Sequence, residues 1–471
     1  MAHNIEFVHG VNGKPVATKI LAKTLAAIDN LSGVCFFGYP LLATPEGKTS
    51  IDATLVSPEK GVVLFDLVEG TNPDRYDERQ DDLANNIESK LKIHRDLVKG
   101  RRLLVPITVI TFAPAVERIE RYRREAYPLA NDHNLANVLR DIAWPEADER
   151  LYRAALSSIE NVTSLRKSRS KREVKKDNSR GAKLKRLEDA IATLDHRQNR
   201  AIIETIDGAQ RIRGLAGSGK TIVLALKAAY LHTQYPNWRI AVTFHTRSLK
   251  GQFKRLITNF CIEQSGEEPD WKMLRVVNAW GAAGSDEREG IYYEFCRATG
   301  VRYHDFESAK SSFKGDPFDG ACREALANAP DPPELYDAIL IDEAQDFAPS
   351  FLRLCYAILK PPKRLVYAYD ELQNLSGESL PPPEEIFGTD HNGKPLVSFD
   401  DDGRRDIILQ MCYRNSRPVL VTAHALGFGI YRQPFLEDTG LVQMFDVPAL
   451  WEEIGYRVRE GVLAKGHHVV L

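Results

Sequence analysis

The sequence predicts an α/β protein built on parallel sheets, with a separate α/β domain ahead of the main one. Three observations support this fold class. Helical and strand-like apolar patterns alternate from about Lys185 onward, as in parallel sheets covered by helices. A glycine-rich loop, GLAGSGKT at 214–221, lies between a strand pattern and a helix pattern. Within residues 1–150, a helical pattern and several β-rich runs indicate a sheet of their own.

Length and composition allow several domains. The 471 residues are 43% hydrophobic and 27% charged, which is enough apolar material for more than one buried core. We predict a first α/β domain at 1–150, a basic linker or helix at 151–187, a main sheet domain at 188–360 with an insertion at about 250–333, and the start of another sheet domain at 361–471. The net charge of −2 indicates no polyanionic partner for the chain as a whole.

Cysteine usage and hydropathy favour a soluble, cytoplasmic protein. The six cysteines are scattered, without a CxxC pair or a cluster with histidine, so neither a zinc site nor a disulfide framework is predicted. The N-terminal MAHNIEFVHG lacks the pattern of a secretion signal. The longest uncharged run, Leu103–Val116, is too short and too interrupted by proline to cross a bilayer. We therefore expect no membrane partner.

The strongest local charge lies between Arg166 and Arg186. In this stretch, 11 of 21 residues are Lys or Arg, and the acids are Glu173 and Asp177. There is little apolar material to bury, which is typical of a solvated linker or a basic helix. Contact with a phosphate backbone and a simple spacer both remain open for this segment.

The loop at 214–221 carries the clearest chemical signal. In GxxxxGK[ST] loops, glycines let successive backbone N–H groups surround a phosphate, and the following helix points its positive end at the anion. The residues predicted to form this cradle are Gly214, Gly217, Ser218 and Gly219. Lys220 is predicted to reach the β- and γ-phosphates, and the hydroxyl of Thr221 to bind Mg²⁺. The alternative is a structural glycine-rich turn.

A second signal follows in YDAILIDEAQDF, Tyr336–Phe347. An apolar strand that ends in two acids suits a nucleotide-hydrolysing site, where one carboxylate holds Mg²⁺ and its neighbour polarises the attacking water. Asp342 is the predicted metal ligand and Glu343 the predicted base. Taken alone, the stretch also fits a charged strand-to-helix turn, but its position after a phosphate loop favours the catalytic interpretation.

In this order, the motifs resemble those of superfamily 1 helicases of the UvrD/Rep type, whose P-loop reads GxAGSGKT and whose second motif reads DExQD. TLDHRQNRAI resembles the adenine-reading segment, which would make Gln198 a base contact. YAYDELQNL resembles the third motif and carries over Asp370 and Gln373, the latter as a γ-phosphate sensor. CYRNSRPVL resembles the fourth, whose catalytic, nucleotide-contacting arginine falls on Arg414. The resemblance covers about Lys185 to Leu420.

Two further stretches resemble the family's DNA-side motifs. In VTFHTRSLK, the resemblance implies that Phe244 stacks on a base and that Arg247 holds phosphate. Trp280, in VNAWGAAG, falls near another such motif. For Phe244 and Trp280, an ordinary place in the hydrophobic core is the alternative.

The resemblance implies RecA-like lobes that bind ATP and Mg²⁺ between them, and an ATP-dependent helicase or translocase that moves 3′ to 5′ on single-stranded or partly duplex DNA, in DNA repair or phage defence. Two alternatives stay open: a nucleic-acid-stimulated ATPase switch in a larger defence complex, and a nuclease fed by the motor.

The stretch after Gln373 lacks the family's strand-contacting aromatic and arginine. The family's last motifs would lie beyond residue 471, so we expect either a piece of a longer protein or a degenerate second lobe.

A different resemblance marks the first domain. SIDATLVSPEKGVVLFDLVEG is similar to the two-strand hairpin of nuclease-related PD-(D/E)xK domains, with Asp52 and Asp66 at the two acidic positions and Glu69 nearby. This family places a lysine two residues after the second acid, where this chain has Val68. A valine can neither orient water nor offset phosphate charge. We therefore expect a nuclease-like fold with weak or absent cleavage, which serves as a module for docking a protein partner or binding nucleic acid.

Overall fold

The computed structural model describes most of the first 409 residues. The described residues are 5–39, 41–44, 47–100, 102–160, 196–285, 287–370, 380–390, 392–399 and 403–409, with 412, 419, 460–461 and 469–470. Gln373 and Arg414 lie outside them, as do the basic segment 166–186 and most of the predicted segment 361–471.

The described residues form two compact units. Of the described residues, those within 1–163, 203–205 and 262–267 belong to the first unit, and the others belong to the second. Both units combine helices with a six-stranded sheet that contains parallel strand pairs. The predicted α/β class is therefore confirmed.

The first unit is built on a mixed sheet. Its strands are β1 Ile5–His9, β2 Gly33–Phe37, β3 Leu41–Thr44, β4 Gly47–Ser50, β5 Ala53–Ser57, β6 Gly61–Leu67, β7 Val98–Lys99, β8 Arg102–Leu103, β9 Ile107–Phe112 and β10 Leu129–Ala130. Its helices are α1 Pro15–Ala26, α2 Tyr76–Lys92, α3 Leu135–Arg140 and α4 Glu149–Glu160. The sheet order is β1-β2-β5-β6-β9-β10, with β5 antiparallel to both neighbours and β6 parallel to β9.

Strand β6 shows how this sheet divides its residues between two faces. Successive side chains of a strand point to opposite faces. Val63 and Phe65 accordingly join the buried cluster that also contains Leu21 of α1. Asp66, one residue on, points to the other face and accepts hydrogen bonds from Arg79 of α2. One acid is thus placed among polar partners inside an otherwise apolar strand.

The second unit is built on an all-parallel sheet. Its strands are β11 Gln210–Gly214, β12 Ile240–Phe244, β13 Leu274–Asn278, β14 Tyr336–Asp342, β15 Leu359–Tyr369 and β16 Asp406–Leu409, followed by the short pair β17 Glu460–Gly461 and β18 Val469–Val470. Its helices are α5 His196–Ile203, α6 Lys220–Gln234, α7 Leu249–Ser265, α8 Ile291–Thr299, α9 Phe306–Ser312, α10 Pro317–Asn328, α11 Pro349–Ala357 and α12 Pro383–Phe387.

The order of this sheet brings the sequence motifs to one edge. The order is β13-β12-β14-β15-β11-β16, and every neighbouring pair is parallel. The carboxyl ends of parallel strands lie on the same side of a sheet, where open α/β folds bind ligands. Gly214 ends β11, Asp342 ends β14 and Asp370 directly follows β15. The phosphate loop and the acids therefore share this edge.

Helix α6, which follows the loop, is buried nearly all round. Val223, Leu224 and Ala229 are each fully buried, although they lie on different faces of the helix. A helix that is apolar on all sides belongs in the interior of a domain. The loop is thus held by a rigid central helix.

Three predicted boundaries need correction. The predicted insertion 250–333 contributes β13 to the parallel sheet, so it is not wholly separate from that sheet. The predicted further domain at 361 begins inside β15, which pairs with β14 and β11, and β16 also pairs with β11. The apolar run after residue 363 completes the first parallel sheet instead of opening another. Helix α4 extends the first unit past residue 150.

The described helices include none with the length and apolar character needed to span a bilayer.

Candidate functional site

The loop between β11 and α6 adopts backbone angles that glycine favours. Gly217 and Gly219 have φ values of 86° and 89°, in the left-handed region that residues with a Cβ rarely adopt. A Cβ at Gly219 would also come within 2.6 Å of Gln198 Nε2. At Gly214 a Cβ would collide with the Ser218 hydroxyl. The glycine spacing in the sequence thus matches what the loop requires.

Gln198 supports the loop from α5. Its Nε2 donates a hydrogen bond to the backbone carbonyl of Ser218 at 2.7 Å, and the side chain is buried. The hydroxyl oxygen of Ser218 is also buried and has no hydrogen-bond partner among the described residues. A buried hydroxyl without a partner suits contact with a phosphate oxygen. Whether Gln198 reads a base stays a prediction.

Lys220 is folded back onto the loop. Its Nζ donates to the carbonyl oxygens of Gly214 at 2.7 Å and Leu215 at 3.3 Å, and it lies 3.4 Å from Asp370 Oδ2. Lys220 is 6% exposed and Asp370 is fully buried. An ammonium with several partners in low dielectric is held firmly at the mouth of the loop. Asp370, which was predicted through its motif, is thus brought to Lys220.

Thr221 and Asp342 form the contact expected of a magnesium site. Thr221 Oγ1 donates to Asp342 Oδ2 at 2.8 Å. The other carboxylate oxygen, Oδ1, is buried and has no hydrogen-bond partner in the described part of the chain. A hydroxyl, a carboxylate and an open oxygen fit Mg²⁺ once nucleotide phosphates supply further ligands. Burial, and then the charge of Glu343, raise the pKa of Asp342 to about 7.

Glu343 has an unusual backbone. Its φ and ψ are 52° and 50°, which is the left-handed region, directly after β14. Its Oε2 accepts a hydrogen bond from Gln345 Nε2 at 2.7 Å. The Glu343 carboxylate is thus held by a hydrogen bond from a neighbour two residues on.

Gln345 connects two strand ends, a role that the sequence analysis missed. Its amide nitrogen binds the Glu343 carboxylate, while its amide oxygen accepts from the backbone N–H of Asp370 at 3.1 Å. Asp370 in turn lies 3.4 Å from Lys220 Nζ. The glutamine of the DEAQD stretch was visible in the sequence, but only the strand order shows that it faces the segment after β15.

Phe244 does not lie where a stacking role needs it. The ring is 1% exposed and stacks on Phe253 of α7, with ring centroids 5.6 Å apart. Strand β12 is an interior strand, so its last side chain points into the core. The predicted base contact is therefore corrected: in this structure Phe244 is a core residue. Arg247, in the turn that follows, is exposed at the same edge as the loop.

Trp280 is half-buried in an aromatic cluster. Its Nε1 donates to the carbonyl oxygen of His304 at 2.8 Å, and its ring stacks on Phe318 at a centroid distance of 4.8 Å. Contacts with Tyr292 and Phe306 are edge-on. The core alternative describes this tryptophan better than a surface that binds DNA.

In the first unit, the structure brings Asp52 and Asp66 together through a residue that the sequence analysis did not single out. Lys14 Nζ lies 2.6 Å from Asp52 Oδ2 and 4.0 Å from Asp66 Oδ1. Glu69 instead binds the start of α1, where it accepts from the backbone N–H of Val16 at 2.9 Å. Lys14 directly precedes α1, and nothing local in the sequence indicates its partners.

Comparison with known proteins adds no family. No protein-family model matches the chain, and a search of the curated proteins finds no match either.

Proposed function

We propose that the second unit hydrolyses ATP with Mg²⁺ at the loop 214–221, and that the chain uses this reaction as a DNA helicase or translocase. The contact between Thr221 and Asp342 carries the ATPase part, because it joins the phosphate loop to a carboxylate whose second oxygen has no partner among the described residues. Such a pair is what nucleotide-bound Mg²⁺ requires.

Each residue of the edge has a task in this proposal. The loop N–H groups and the start of α6 hold the phosphates. Lys220 exchanges its bonds to the loop carbonyls for bonds to phosphate oxygens, which brings its charge to the reacting group. Mg²⁺, held by Thr221 and Asp342, would neutralise phosphate charge. Glu343, positioned by Gln345, accepts the proton of the attacking water.

The DNA part of the proposal rests on the family resemblance and on fewer structural observations. Arg247 is exposed at the edge that carries the loop, where it can contact a phosphate backbone. Phe244 and Trp280 are engaged in the core. This burial favours, as a second candidate, the nucleic-acid-stimulated ATPase switch without strand separation.

Two assays separate these candidates. The first measures ATP hydrolysis with and without single-stranded DNA, beside the Lys220→Ala variant. The second measures displacement of a labelled strand from duplexes with a 3′ or a 5′ tail. Displacement from the 3′-tailed duplex supports the motor with the polarity that the resemblance implies. Stimulated hydrolysis without displacement supports the switch, and hydrolysis that survives Lys220→Ala contradicts both.

The motor-coupled nuclease is tested separately. Plasmid DNA is incubated with the protein, ATP and Mg²⁺ or Mn²⁺, beside an Asp52→Ala/Asp66→Ala variant. We expect no degradation by either protein. Cleavage that disappears in the variant would assign nuclease activity to the first unit.

A further inference from the structure

The acid pair of the first unit already holds two cations of the chain itself. Lys14 lies between the carboxylates of Asp52 and Asp66, at 2.6 and 4.0 Å. From α2, Arg79 Nε lies 3.0 Å from each oxygen of Asp66, and Arg79 Nη2 lies 2.8 Å from Oδ2. Two carboxylates and two cations leave this cluster without net charge.

The oxygens of the two acids also accept other hydrogen bonds. The hydroxyl of Thr111 donates to Asp66 Oδ2 at 3.0 Å, and Gln80 Nε2 donates to that hydroxyl at 2.9 Å, which orients its proton toward the acid. The backbone N–H of Leu67 donates to Asp52 Oδ2 at 2.8 Å. Asp66 is only 3% exposed. A metal ion would have to replace charge-assisted bonds that are already made in a buried place.

The local backbone fixes Lys14 in this position. Lys14 directly precedes α1, and its own N–H donates to Asn12 Oδ1 at 2.8 Å. Asn12 Nδ2 donates to the carbonyl oxygen of Asp52 at 3.1 Å. The Glu69 carboxylate holds the first turn of α1 through the N–H of Val16. These hydrogen bonds hold the segment before α1 in place. The Lys14 ammonium is therefore positioned against the acids by a fixed backbone.

A divalent metal does not fit these residues as they stand. Mg²⁺ and Mn²⁺ take oxygen ligands and favour sites with net negative charge. The carboxylate of Glu69, which follows Asp66 by three residues, is engaged at the helix start. Among the residues that the structure describes, no group of three or more His, Cys, Asp or Glu side chains could hold a metal ion.

We propose that Lys14 and Arg79 occupy the place of a divalent cation between Asp52 and Asp66, so that the first unit uses a nuclease-like acid pair as a metal-free ion-pair centre. This centre joins the starts of α1 and α2 to the sheet. The position where the resembled family has a lysine is occupied by Val68 in this chain. Lys14 instead provides a cation beside the acids, as their fixed ion-pair partner. The proposal is independent of ATP hydrolysis by the second unit.

The proposal predicts that removal of both cations creates a metal site. Two adjacent carboxylates without counter-charge repel each other and bind a divalent cation or a proton instead. The test is calorimetric titration of Mn²⁺ without nucleotide into the full chain, in an Asp342→Asn background that removes the metal ligand of the second unit. Lys14→Met/Arg79→Met should then bind Mn²⁺ at least about tenfold more tightly than its parent, within the range by which neighbouring groups change metal affinity.

Two controls make the result specific. Lys19→Met/Arg153→Met removes the same number of charges from exposed positions of the first unit and should leave Mn²⁺ binding unchanged. Adding Asp52→Asn/Asp66→Asn to the cation-free variant should abolish the gained site. A parent protein that binds Mn²⁺ through Asp52 and Asp66, or a folded cation-free variant that gains no binding, overturns the proposal.

Circular dichroism reports whether the double variant folds. If it does not, the Lys14→Met single variant replaces it, because Arg79 then still neutralises buried Asp66. Thermal melting of the parent provides a second measurement. Mn²⁺ should leave its melting midpoint unchanged, whereas a rise that Asp52→Asn/Asp66→Asn removes would contradict the metal-free assignment.

Discussion

The chain contains two acid pairs, one in each unit, and their surroundings differ in one respect. In the second unit Asp342 ends β14 and Glu343 follows it, whereas in the first unit Asp66 lies on β6 and Asp52 directly precedes the neighbouring strand β5. Asp342 meets a hydroxyl and keeps a buried oxygen without a described partner, whereas Asp66 is held by a guanidinium. Both pairs have a lysine nearby, Lys220 in one unit and Lys14 in the other.

The difference lies in what each lysine binds. Lys220 donates to two backbone carbonyl oxygens of its own loop and lies 3.4 Å from Asp370, and one carboxylate oxygen of Asp342 keeps no hydrogen-bond partner among the described residues. Lys14 donates to the very acid that would hold a metal, Asp52. The same residue types thus produce an open site or a closed one, depending on whether an internal cation already neutralises the carboxylates.

The largest expected effect tests the open site. Lys220→Ala should reduce ATP hydrolysis by roughly 10³ or more, because the charge that reaches the phosphates is lost. It also removes the ammonium that lies 3.4 Å from the buried carboxylate of Asp370. Steady-state hydrolysis is the measurement, with exposed Lys272→Ala as the matched control. Normal turnover in Lys220→Ala would remove the distinction between the two lysines.

A smaller effect is expected at Glu343. Glu343→Gln keeps the size of the side chain but cannot accept a proton from water, so hydrolysis should fall by roughly 10² or more. Binding of a fluorescent nucleotide with Mg²⁺ should stay close to that of the parent. Loss of nucleotide binding together with activity would show that Glu343 holds the ligand and is not a base.

Gln345 should have an effect between that of a catalytic residue and that of a surface residue. Gln345→Ala frees Glu343 and the Asp370 backbone N–H, so kcat should fall by roughly 30-fold while KM changes little. Gln252→Ala, at an exposed position of α7, is the control and should leave both constants unchanged. An altered KM with normal kcat would contradict a positioning role.

The raised pKa of Asp342 predicts a pH dependence for the open site. Because that pKa is about 7, the carboxyl is largely protonated below this value, and Mg²⁺ must displace the proton. Affinity for Mg²⁺-nucleotide should therefore rise about tenfold between pH 6 and pH 8, with proton release near pH 6. Without ligand the sign is reversed: a carboxyl pKa raised on folding makes stability fall as pH rises toward 7.

Calorimetry in two buffers of different ionisation enthalpy measures the released protons. The same titration in EDTA, with nucleotide alone, provides the control, because Asp342 then keeps its proton. Equal proton release with and without Mg²⁺ would show that another group titrates.

These two sites also show how far the sequence could be interpreted. The loop 214–221 and the acids of β14 were predictable because their chemistry depends on neighbours in sequence. Phe244 was misjudged because its burial depends on β12 lying inside the sheet, which the strand order decides. Lys14 was missed because it is separated from Asp52 by 38 residues and meets it only in the fold.

The domain boundary near residue 360 failed for a similar reason. A strand pattern predicts that RLVYAY forms a strand, but it does not specify which sheet that strand joins. Pairing of β15 with β14 and β11 places it in the first parallel sheet. The position of Asp370 beside Lys220 follows from that pairing and was available beforehand only through the family resemblance.

The left-handed backbone of Glu343 implies a conflict between thermal stability and catalysis. Residues with a Cβ pay about 1–2 kcal/mol for this conformation, and glycine does not. Glu343→Gly should therefore yield a protein that melts at the same temperature or a few degrees higher, yet hydrolyses no ATP. Laboratory selection for heat resistance alone should therefore favour substitutions that remove this acid. If glycine appears repeatedly at position 343 in such selected variants, then Glu343 is retained for ATP hydrolysis and not for stability.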